Sequence, residues 1–216
     1  MCGIFGGYNI RLEEAEEGIN LIKRGNDGIT ITELDDKVFF AARRHAIKFS
    51  GNEEKLSGHS DQPYYSNDKN IALIFNGEFY NFADYKNQLI KENVEFKTQG
   101  DTEVLLKLYE KSGINFLRDK KIDSLYSIAV HDKKLNKIFI ARDWPGRIPL
   151  YYYHEKGKFI FSSELKALRV IDGLSLQNPI ELEPGKIIEY DIFKDELNVV
   201  SCYNLEPYFS KNSENI

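Results

Sequence analysis

The sequence predicts an α+β fold in which two stacked, mainly antiparallel β-sheets lie between helical layers. Strand-like segments outnumber helix-like segments, and several are continuous apolar runs, which indicates strands buried on both faces. Short turn-like segments, such as residues 133–136 and 155–158, separate neighbouring strands. Such turns favour hairpins and therefore antiparallel pairing. Two stacked sheets flanked by helices would cover every apolar face.

Helices are predicted where apolar residues recur every three or four positions. The predicted helices cover residues 11–23, 81–92 and 101–112, and a shorter one starts at Ser163. Their apolar stripes are Leu12, Ala15, Ile19 and Ile22 in the first, Phe82, Tyr85 and Leu89 in the second, Leu105, Leu108, Tyr109 and Ser112 in the third, and Leu165 and Leu168 in the fourth. Asn81 is suited to cap the second helix, and Gly113 to end the third.

Strands are predicted from runs rich in β-branched and aromatic residues between turn residues. The predicted strands are residues 3–8, 28–33, 38–42, 71–75, 125–131, 137–141, 150–153, 158–161, 186–190 and 197–203. Residues 71–75 and 138–141 are apolar throughout. We therefore expect these two strands to lie in the interior of the stacked sheets.

Size and composition favour a single globular domain. The chain has 216 residues, of which 42% are apolar and 29% charged, and its formal net charge is -5. We expect one domain over residues 1–203 and a polar, frayed tail over residues 204–216. The acidic balance argues against a nucleic-acid partner, and no apolar stretch is long enough to cross a membrane. The first residues lack the pattern of a signal peptide, so we expect a cytoplasmic protein.

The two cysteines, Cys2 and Cys202, have neither metal-ligand spacing nor a disulfide framework. We therefore expect no metal and no cofactor. A lone cysteine is most often a small buried apolar residue. Cys2, however, follows Met1, which is typically removed before a small residue, and its free α-amine would have a pKa of about 7.7–8.0. Such an amine could accept the thiol proton near neutral pH, so Cys2 is a candidate nucleophile.

Histidine gives a weaker signal for catalysis. Three of the four, His59, His131 and His154, have the sequence context of surface loops or strand ends. His45 follows Arg44 and could lie near a site, although a strand-end position is again the simpler interpretation. No catalytic histidine is therefore expected.

Eight segments, taken in order, resemble the class II glutamine amidotransferases, which are N-terminal nucleophile hydrolases. The segments are residues 1–6, 24–28, 41–47, 61–63, 76–81, 100–103, 142–151 and 162–168. Glu78, Tyr80 and Asn81 after Asn76-Gly77, together with the last two segments, are similar to the asparagine-synthetase branch. The resemblance extends from Met1 to about Tyr203. It implies a four-layer αββα sandwich of two mainly antiparallel sheets.

The resemblance also implies a role for each motif residue in glutamine hydrolysis. Cys2 would attack the side-chain amide, and the Asn76 side chain with the Gly77 N–H would form the oxyanion hole. The remaining roles concern the amino-acid end of glutamine: Arg44 would bind the α-carboxylate, and Glu78 and Asp101 would bind the α-ammonium.

Each of these residues also has a purely structural interpretation. Asp101 could be a helix N-cap, and Arg44 could form a solvated basic pair with Arg43. Glu78 could be an exposed turn residue. Asn76-Gly77 could form an ordinary hairpin turn.

The chain departs from the family pattern in its second motif, where Lys23 and Asn26 replace His and Pro, and after Arg44, where His45-Ala46 replaces Leu-Ser. These 216 residues contain no phosphate-binding loop of the synthetase or Walker type. We expect a glutaminase that passes ammonia to an ATP-dependent synthetase partner, either as a separate subunit or as a fragment of a longer enzyme. The alternatives are a silent glutamine-binding or regulatory module, and an N-terminal-nucleophile amidase with another amide substrate.

Overall fold

A computed structural model describes residues 2–45, 62–170 and 179–202. The strands are β1 (Gly3–Tyr8), β2 (Gly28–Asp35), β3 (Val38–Arg44), β4 (Tyr64–Tyr65), β5 (Ile71–Phe79), β6 (Ser124–Asp132), β7 (Lys137–Arg142), β8 (Tyr151–Glu155), β9 (Lys158–Ser162), β10 (Ile180–Glu181), β11 (Lys186–Asp191) and β12 (Glu196–Ser201). The α-helices are α1 (Leu12–Leu21), α2 (Phe82–Lys91) and α3 (Asp101–Ser112), and 3-10 segments cover Gly113–Arg118 and Leu165–Val170. No helix in these ranges is long and apolar enough to cross a membrane.

The strands form two antiparallel sheets. The first sheet has the order β10-β8-β9-β1-β3-β2, and the second has the order β12-β11-β7-β6-β5-β4. Every registered strand pair in both sheets is antiparallel. The first strand of the chain, β1, is therefore central in its sheet, where it is paired on both sides by β3 and β9.

Three apolar clusters correspond to the three interfaces of a four-layer sandwich. One cluster joins α1 and the 3-10 segment at residues 165–170 to the outer face of the first sheet. A second fills the space between the two sheets. The third packs α2 and α3 against the outer face of the second sheet. The four-layer αββα arrangement predicted for this chain is therefore confirmed.

Alternation along the strands explains how each sheet serves two interfaces. On β1, Ile4 faces the second sheet whereas Phe5 packs under α1. On β5, Leu73 packs against the helices and Ile74 faces the first sheet. Successive side chains of a strand point to opposite faces, so a strand buried on both sides must be apolar at every position. The continuous apolar run at residues 71–75 is the sequence signature of that position.

The structure differs from the sequence prediction at several element boundaries. Leu12, predicted in the buried stripe of α1, is 47% exposed, and Ser112 at the end of α3 is exposed. The fourth helix is a 3-10 segment that begins at Leu165, and Leu165 is itself exposed. The two-residue strands β4 and β10 are too short to give a periodic pattern and were not predicted. The predicted tail, residues 204–216, and the predicted domain end at residue 203 lie outside the described residues.

Candidate active site

Cys2 lines a pocket at one end of the sandwich. The lining residues are Cys2, Asp27, Gly28, Ile29, Thr30, Ala42, Arg44 and Gln62. Cys2 directly precedes β1, and its Sγ accepts a hydrogen bond from the backbone N–H of His45, with an N–Sγ distance of 3.4 Å. The side chain is partly exposed, so a small molecule in solution can reach it.

The pairing of β1 with β3 brings Arg44 beside Cys2. Gly3 is registered with Arg43, so the residues that flank this pair, Cys2 and Arg44, are neighbours at the sheet end. Arg43 points the other way and donates to the carbonyl oxygens of Ile22 and Gly25, at 2.9 and 2.7 Å. The two arginines therefore do not form a solvated basic pair. Arg43 holds a loop, and Arg44 lines the pocket.

The loop from Lys23 to Gly28 is held at several points. Arg24 donates from Nε to Glu164 Oε1 at 3.0 Å, and the Asp27 N–H donates to the Arg44 carbonyl at 3.0 Å. Gly25 has φ +79°, and a Cβ there would approach the Arg43 carbonyl oxygen to 2.4 Å. Only glycine fits this position. Asn26, which replaces the family proline, is exposed between these contacts.

Asn76 is fully buried between the sheets, where it meets the start of β1 through Ser163. Its Nδ2 donates to Ser163 Oγ at 3.4 Å. The same hydroxyl accepts from the Ile4 N–H at 3.0 Å, and the Ser163 N–H donates to the Ile4 carbonyl at 2.9 Å. One serine thus connects the Asn76 carboxamide to the strand that carries Cys2.

Gly77 presents its N–H at the open edge of β5. Alternate residues of a strand direct their N–H groups to the same edge. The Phe75 N–H donates to Gln62 Oε1 at 2.7 Å, and the Phe79 N–H donates to Asp101 Oδ2 at 3.2 Å, both away from β6. Gly77 lies between them, so its N–H points to the same edge. A Cβ at Gly77 would approach the Leu125 carbonyl oxygen to 2.0 Å, which excludes any larger residue at this position.

Glu78 and Asp101 form a pair of carboxylates beside this edge. Burial raises the pKa of Asp101. The pKa of Glu78 is also raised, chiefly by burial and further by the negative charge of Asp101. Two nearby carboxylates in a partly desolvated position are stabilised in their charged form by a cation. The pair is therefore chemically suited to an ammonium group.

The three remaining structural alternatives are also wrong. Asp101 is the first residue of α3 and Gly100 is the N-cap, so Asp101 does not cap the helix but reaches across to β5. Asn76 and Gly77 lie inside β5, which extends four residues beyond the predicted end at Phe75, so they form no hairpin turn. Glu78 is also in the strand and is half-buried rather than an exposed turn residue.

The six predicted site residues fall into two adjoining groups. Cys2 and Arg44 share the pocket, whereas Asn76, Gly77 and Glu78 follow one another on β5, with Asp101 beside them.

Gln62, which was not predicted as a site residue, connects the two groups. It lines the pocket and bonds to Phe75 with its side chain, and its carbonyl oxygen accepts from the Thr30 hydroxyl on β2. Its only sequence signal was its place in the Gln62-Pro63 segment. Ser163, the other unpredicted residue, lay in a segment predicted as a helix start.

Comparison with known proteins gives the family. The sequence profile described as "Glutamine amidotransferase domain" matches residues 1–187. The chain belongs to this family. It is 37% identical over 176 residues to asparagine synthetase [glutamine-hydrolyzing] 2 of Bacillus subtilis, which covers 78% of this chain and 22% of the relative. It is 31% identical over 217 residues to asparagine synthetase B [glutamine-hydrolyzing] of Escherichia coli, which covers 91% of this chain and 37% of the relative. The chain thus spans less than half the length of either synthetase.

Solved structures agree on the fold of this amidotransferase domain. Glutamine phosphoribosylpyrophosphate amidotransferase of B. subtilis superposes with a TM-score of 0.72 over 94% of this chain and 49% of its own, at 20% identity. At that identity the likeness concerns the fold alone, which is that of the N-terminal nucleophile hydrolases. The family and the asparagine-synthetase resemblance predicted from the motifs are both confirmed.

Proposed function

We propose that this domain hydrolyses the side-chain amide of glutamine to glutamate and ammonia, with Cys2 as the nucleophile. The observation that carries the proposal is the shared pocket of Cys2 and Arg44. A thiol next to a guanidinium suits a substrate that offers both a reactive carbonyl and a carboxylate. Membership of the glutamine amidotransferase family supports glutamine as that substrate.

The reaction would proceed through a thioester. The α-amine of a chain that begins at Cys2 takes the thiol proton, and Sγ attacks the amide carbon to form a tetrahedral oxyanion. The Asn76 Nδ2 and the Gly77 N–H donate hydrogen bonds to that oxygen. The carbon–nitrogen bond then breaks, the ammonium returns its proton to the leaving nitrogen, and ammonia departs. Water attacks the thioester with the amine again as base, which releases glutamate and the free thiol.

The binding groups would hold the two charges at the other end of glutamine. Arg44 makes a forked contact with the α-carboxylate, and Asp101 with Glu78 accepts hydrogen bonds from the α-ammonium. The ammonium charge would relieve the repulsion between the two carboxylates. Binding energy from these charges positions the amide over Cys2.

The released ammonia would serve an ATP-dependent synthetase partner or domain. The similar proteins are named as glutamine-hydrolysing asparagine synthetases, and each is more than twice as long as the matched region. A cytoplasmic location, a domain over residues 1–203 and the absence of a cofactor stay predictions. The alternative, a glutamine-binding module without turnover, uses the same pocket, and the altered motif at Lys23 and Asn26 favours it.

One experiment separates these possibilities. Protein whose N-terminus is verified by mass spectrometry as Cys2 is incubated with glutamine, and glutamate and ammonia are measured together with glutamine binding by calorimetry. Equal release of both products, lost in Cys2→Ala, supports the glutaminase. Binding without release would support the regulatory module. If the protein neither binds glutamine nor releases products, the proposal is overturned.

A further inference from the structure

Three buried polar residues form one row across the second sheet. Asn76 on β5 is registered with Ser127 on β6, and Ser127 is registered with Arg142 on β7. All three point into the space between the sheets, because the residues two positions away on the same strands, Ile74, Ala129 and Ile140, belong to the inter-sheet cluster. The row therefore begins at the proposed oxyanion residue and leads away from it.

Each member of the row has one buried polar atom without a hydrogen-bond partner among the described residues. These atoms are Asn76 Oδ1, Ser127 Oγ and Arg142 Nε. Buried polar atoms without partners are rare, and three in neighbouring positions call for a common explanation. Their chemistry is complementary: the amide oxygen accepts, the guanidinium N–H donates, and the hydroxyl between them does both.

We propose that Ser127 is a positioning residue for Asn76, in a relay that runs from Arg142 Nε–H to the Ser127 hydroxyl and from that hydroxyl to Asn76 Oδ1. The proposal rests on the proposed function, since it gives Asn76 the oxyanion role. The three residues occupy facing positions of adjacent strands, where side chains lie within reach of one another, so the two bonds can form directly or through one water.

Arg142 gives the relay its direction, because its other nitrogens are already committed. Nη1 donates to the Leu182 carbonyl at 2.7 Å and to Glu181 Oε1 at 2.8 Å, and Nη2 donates to the Gly146 carbonyl at 2.7 Å. The guanidinium is thus fixed, and its Nε–H can only donate. A Ser127 hydroxyl that accepts from this donor has its own proton left to donate to Asn76 Oδ1.

The consequence for Asn76 is a defined orientation of its carboxamide. A hydroxyl that donates to Oδ1 distinguishes the amide oxygen from the nitrogen. The Nδ2 group then points to Ser163, to which it donates at 3.4 Å. One N–H binds Ser163, and the second is left for the oxyanion. Preorganised donors are effective because they need no reorientation as charge develops.

The test compares Ser127→Ala with Ser66→Ala in protein that begins at Cys2. Ser127→Ala is expected to lower kcat roughly tenfold, less than the loss of a whole oxyanion donor, with KM changed by less than about twofold. Ser127→Thr, which keeps the hydroxyl, should restore most of kcat. Ser66 is also buried, but its Oγ bonds to Asp68 and Ile71 near β4, so Ser66→Ala should lower thermal stability and leave kcat unchanged.

A second readout does not depend on turnover. The side-chain NH2 signals of Asn76 in a 15N NMR spectrum, identified by their loss in Asn76→Ala, should shift in Ser127→Ala and stay in place in Ser66→Ala. Unchanged Asn76 signals together with an unchanged kcat in Ser127→Ala would overturn the relay. A wild-type kcat in Asn76→Ala would instead overturn the oxyanion assignment, and wild-type protein without glutaminase activity would overturn the proposed function. The three failures are therefore distinct.

Discussion

The side chain of Gln62 pairs with the backbone of Phe75 as a neighbouring strand would. Gln62 Nε2 donates to the Phe75 carbonyl at 2.8 Å, and the Phe75 N–H donates to Gln62 Oε1 at 2.7 Å. The carboxamide thus extends the edge of the sheet past the two-residue strand β4, immediately before Asn76. Since Gln62 also lines the pocket of Cys2, it links the two groups of predicted site residues.

We predict that Gln62→Ala lowers both stability and kcat. The variant leaves two backbone groups of Phe75 without partners. Each buried unsatisfied group lowers the free energy of unfolding by about 1–3 kcal/mol, and the loss is smaller if water enters and bonds to the group. The segment that carries Asn76 and Gly77 would lose its lateral support. Denaturant unfolding and steady-state glutaminase assays measure the two effects. Gln88→Ala on the exposed side of α2 is the matched control, and a Gln62→Ala enzyme with wild-type kcat would show that the pairing is dispensable for the site.

The two cysteines are expected to differ sharply in reactivity towards a diazo-ketone analogue of glutamine. Cys202 is 6% exposed, and burial raises the pKa of its thiol to about 11, so it holds almost no thiolate at neutral pH. Cys2 is accessible and lies in the pocket. Mass spectrometry of digested protein should find one adduct, on Cys2. Excess glutamine should slow its formation, and labelling of Cys202 at a similar rate would contradict the assignment of the pocket.

Arg44→Ala and Asp101→Asn should mainly weaken glutamine binding. Each variant leaves one charge of the amino acid without its partner, at roughly 1.5–3 kcal/mol for a charged hydrogen bond, so KM should rise about ten- to a hundredfold. Arg44→Lys should be intermediate, because lysine keeps the charge but not the fork. Arg169→Ala, at an exposed position, is the control. If Asp101→Asn lowers stability but binds glutamine normally, Asp101 serves only to accept the hydrogen bond from the Phe79 N–H.

Strand and helix positions could be read from the sequence wherever periodicity was strong. β1 begins and ends where its apolar run predicts, and α3 has both predicted ends. β5 was predicted to end at Phe75 because Asn76 and Gly77 are typical turn residues, yet it continues to Phe79. There the pairing of residues 76–79 with residues 124–127 of β6 outweighs the local preference of Asn-Gly for a turn. Gln62 could not be assigned a role, because its contacts with Phe75 and Thr30 arise only when both sheets are assembled.

Glu78→Gln should raise stability at pH 7 while it weakens glutamine binding. The pKa of Glu78 is raised by burial and by the negative charge of Asp101. The folded protein therefore binds a proton on the Glu78 carboxylate more tightly than the unfolded chain does. That contribution to stability is present at low pH and is lost as the pH rises through the raised pKa. The neutral side chain introduced by Glu78→Gln has no charge to desolvate, so the gain in melting temperature should shrink as the pH falls towards 4.

The same raised pKa values predict the pH dependence of binding. An ammonium group is held by ionised carboxylates, so wild-type affinity should fall with decreasing pH at values above the ordinary range of Asp and Glu, about 3.9–4.3. Calorimetric titration with glutamine from pH 4 to 8 measures this directly. Glu17 is exposed, so the control variant Glu17→Gln should change neither the melting temperature nor the pH dependence of glutamine binding. A flat profile in wild-type protein would exclude this carboxylate pair from the binding of the α-ammonium.

Finally, protein that retains any residue before Cys2 should be inactive although its thiol is intact. An acylated nitrogen has no basic lone pair, whereas a free α-amine with a pKa of about 7.7–8.0 accepts the thiol proton near neutral pH. The rival base is His45, whose backbone N–H meets Cys2 Sγ and whose Nδ1 lies 3.4 Å from Asp27 Oδ2. Trimmed His45→Ala protein should therefore keep its activity. If extended protein is as fast as trimmed protein and His45→Ala is slow, the imidazole rather than the α-amine is the base, and the mechanism changes to a cysteine–histidine pair.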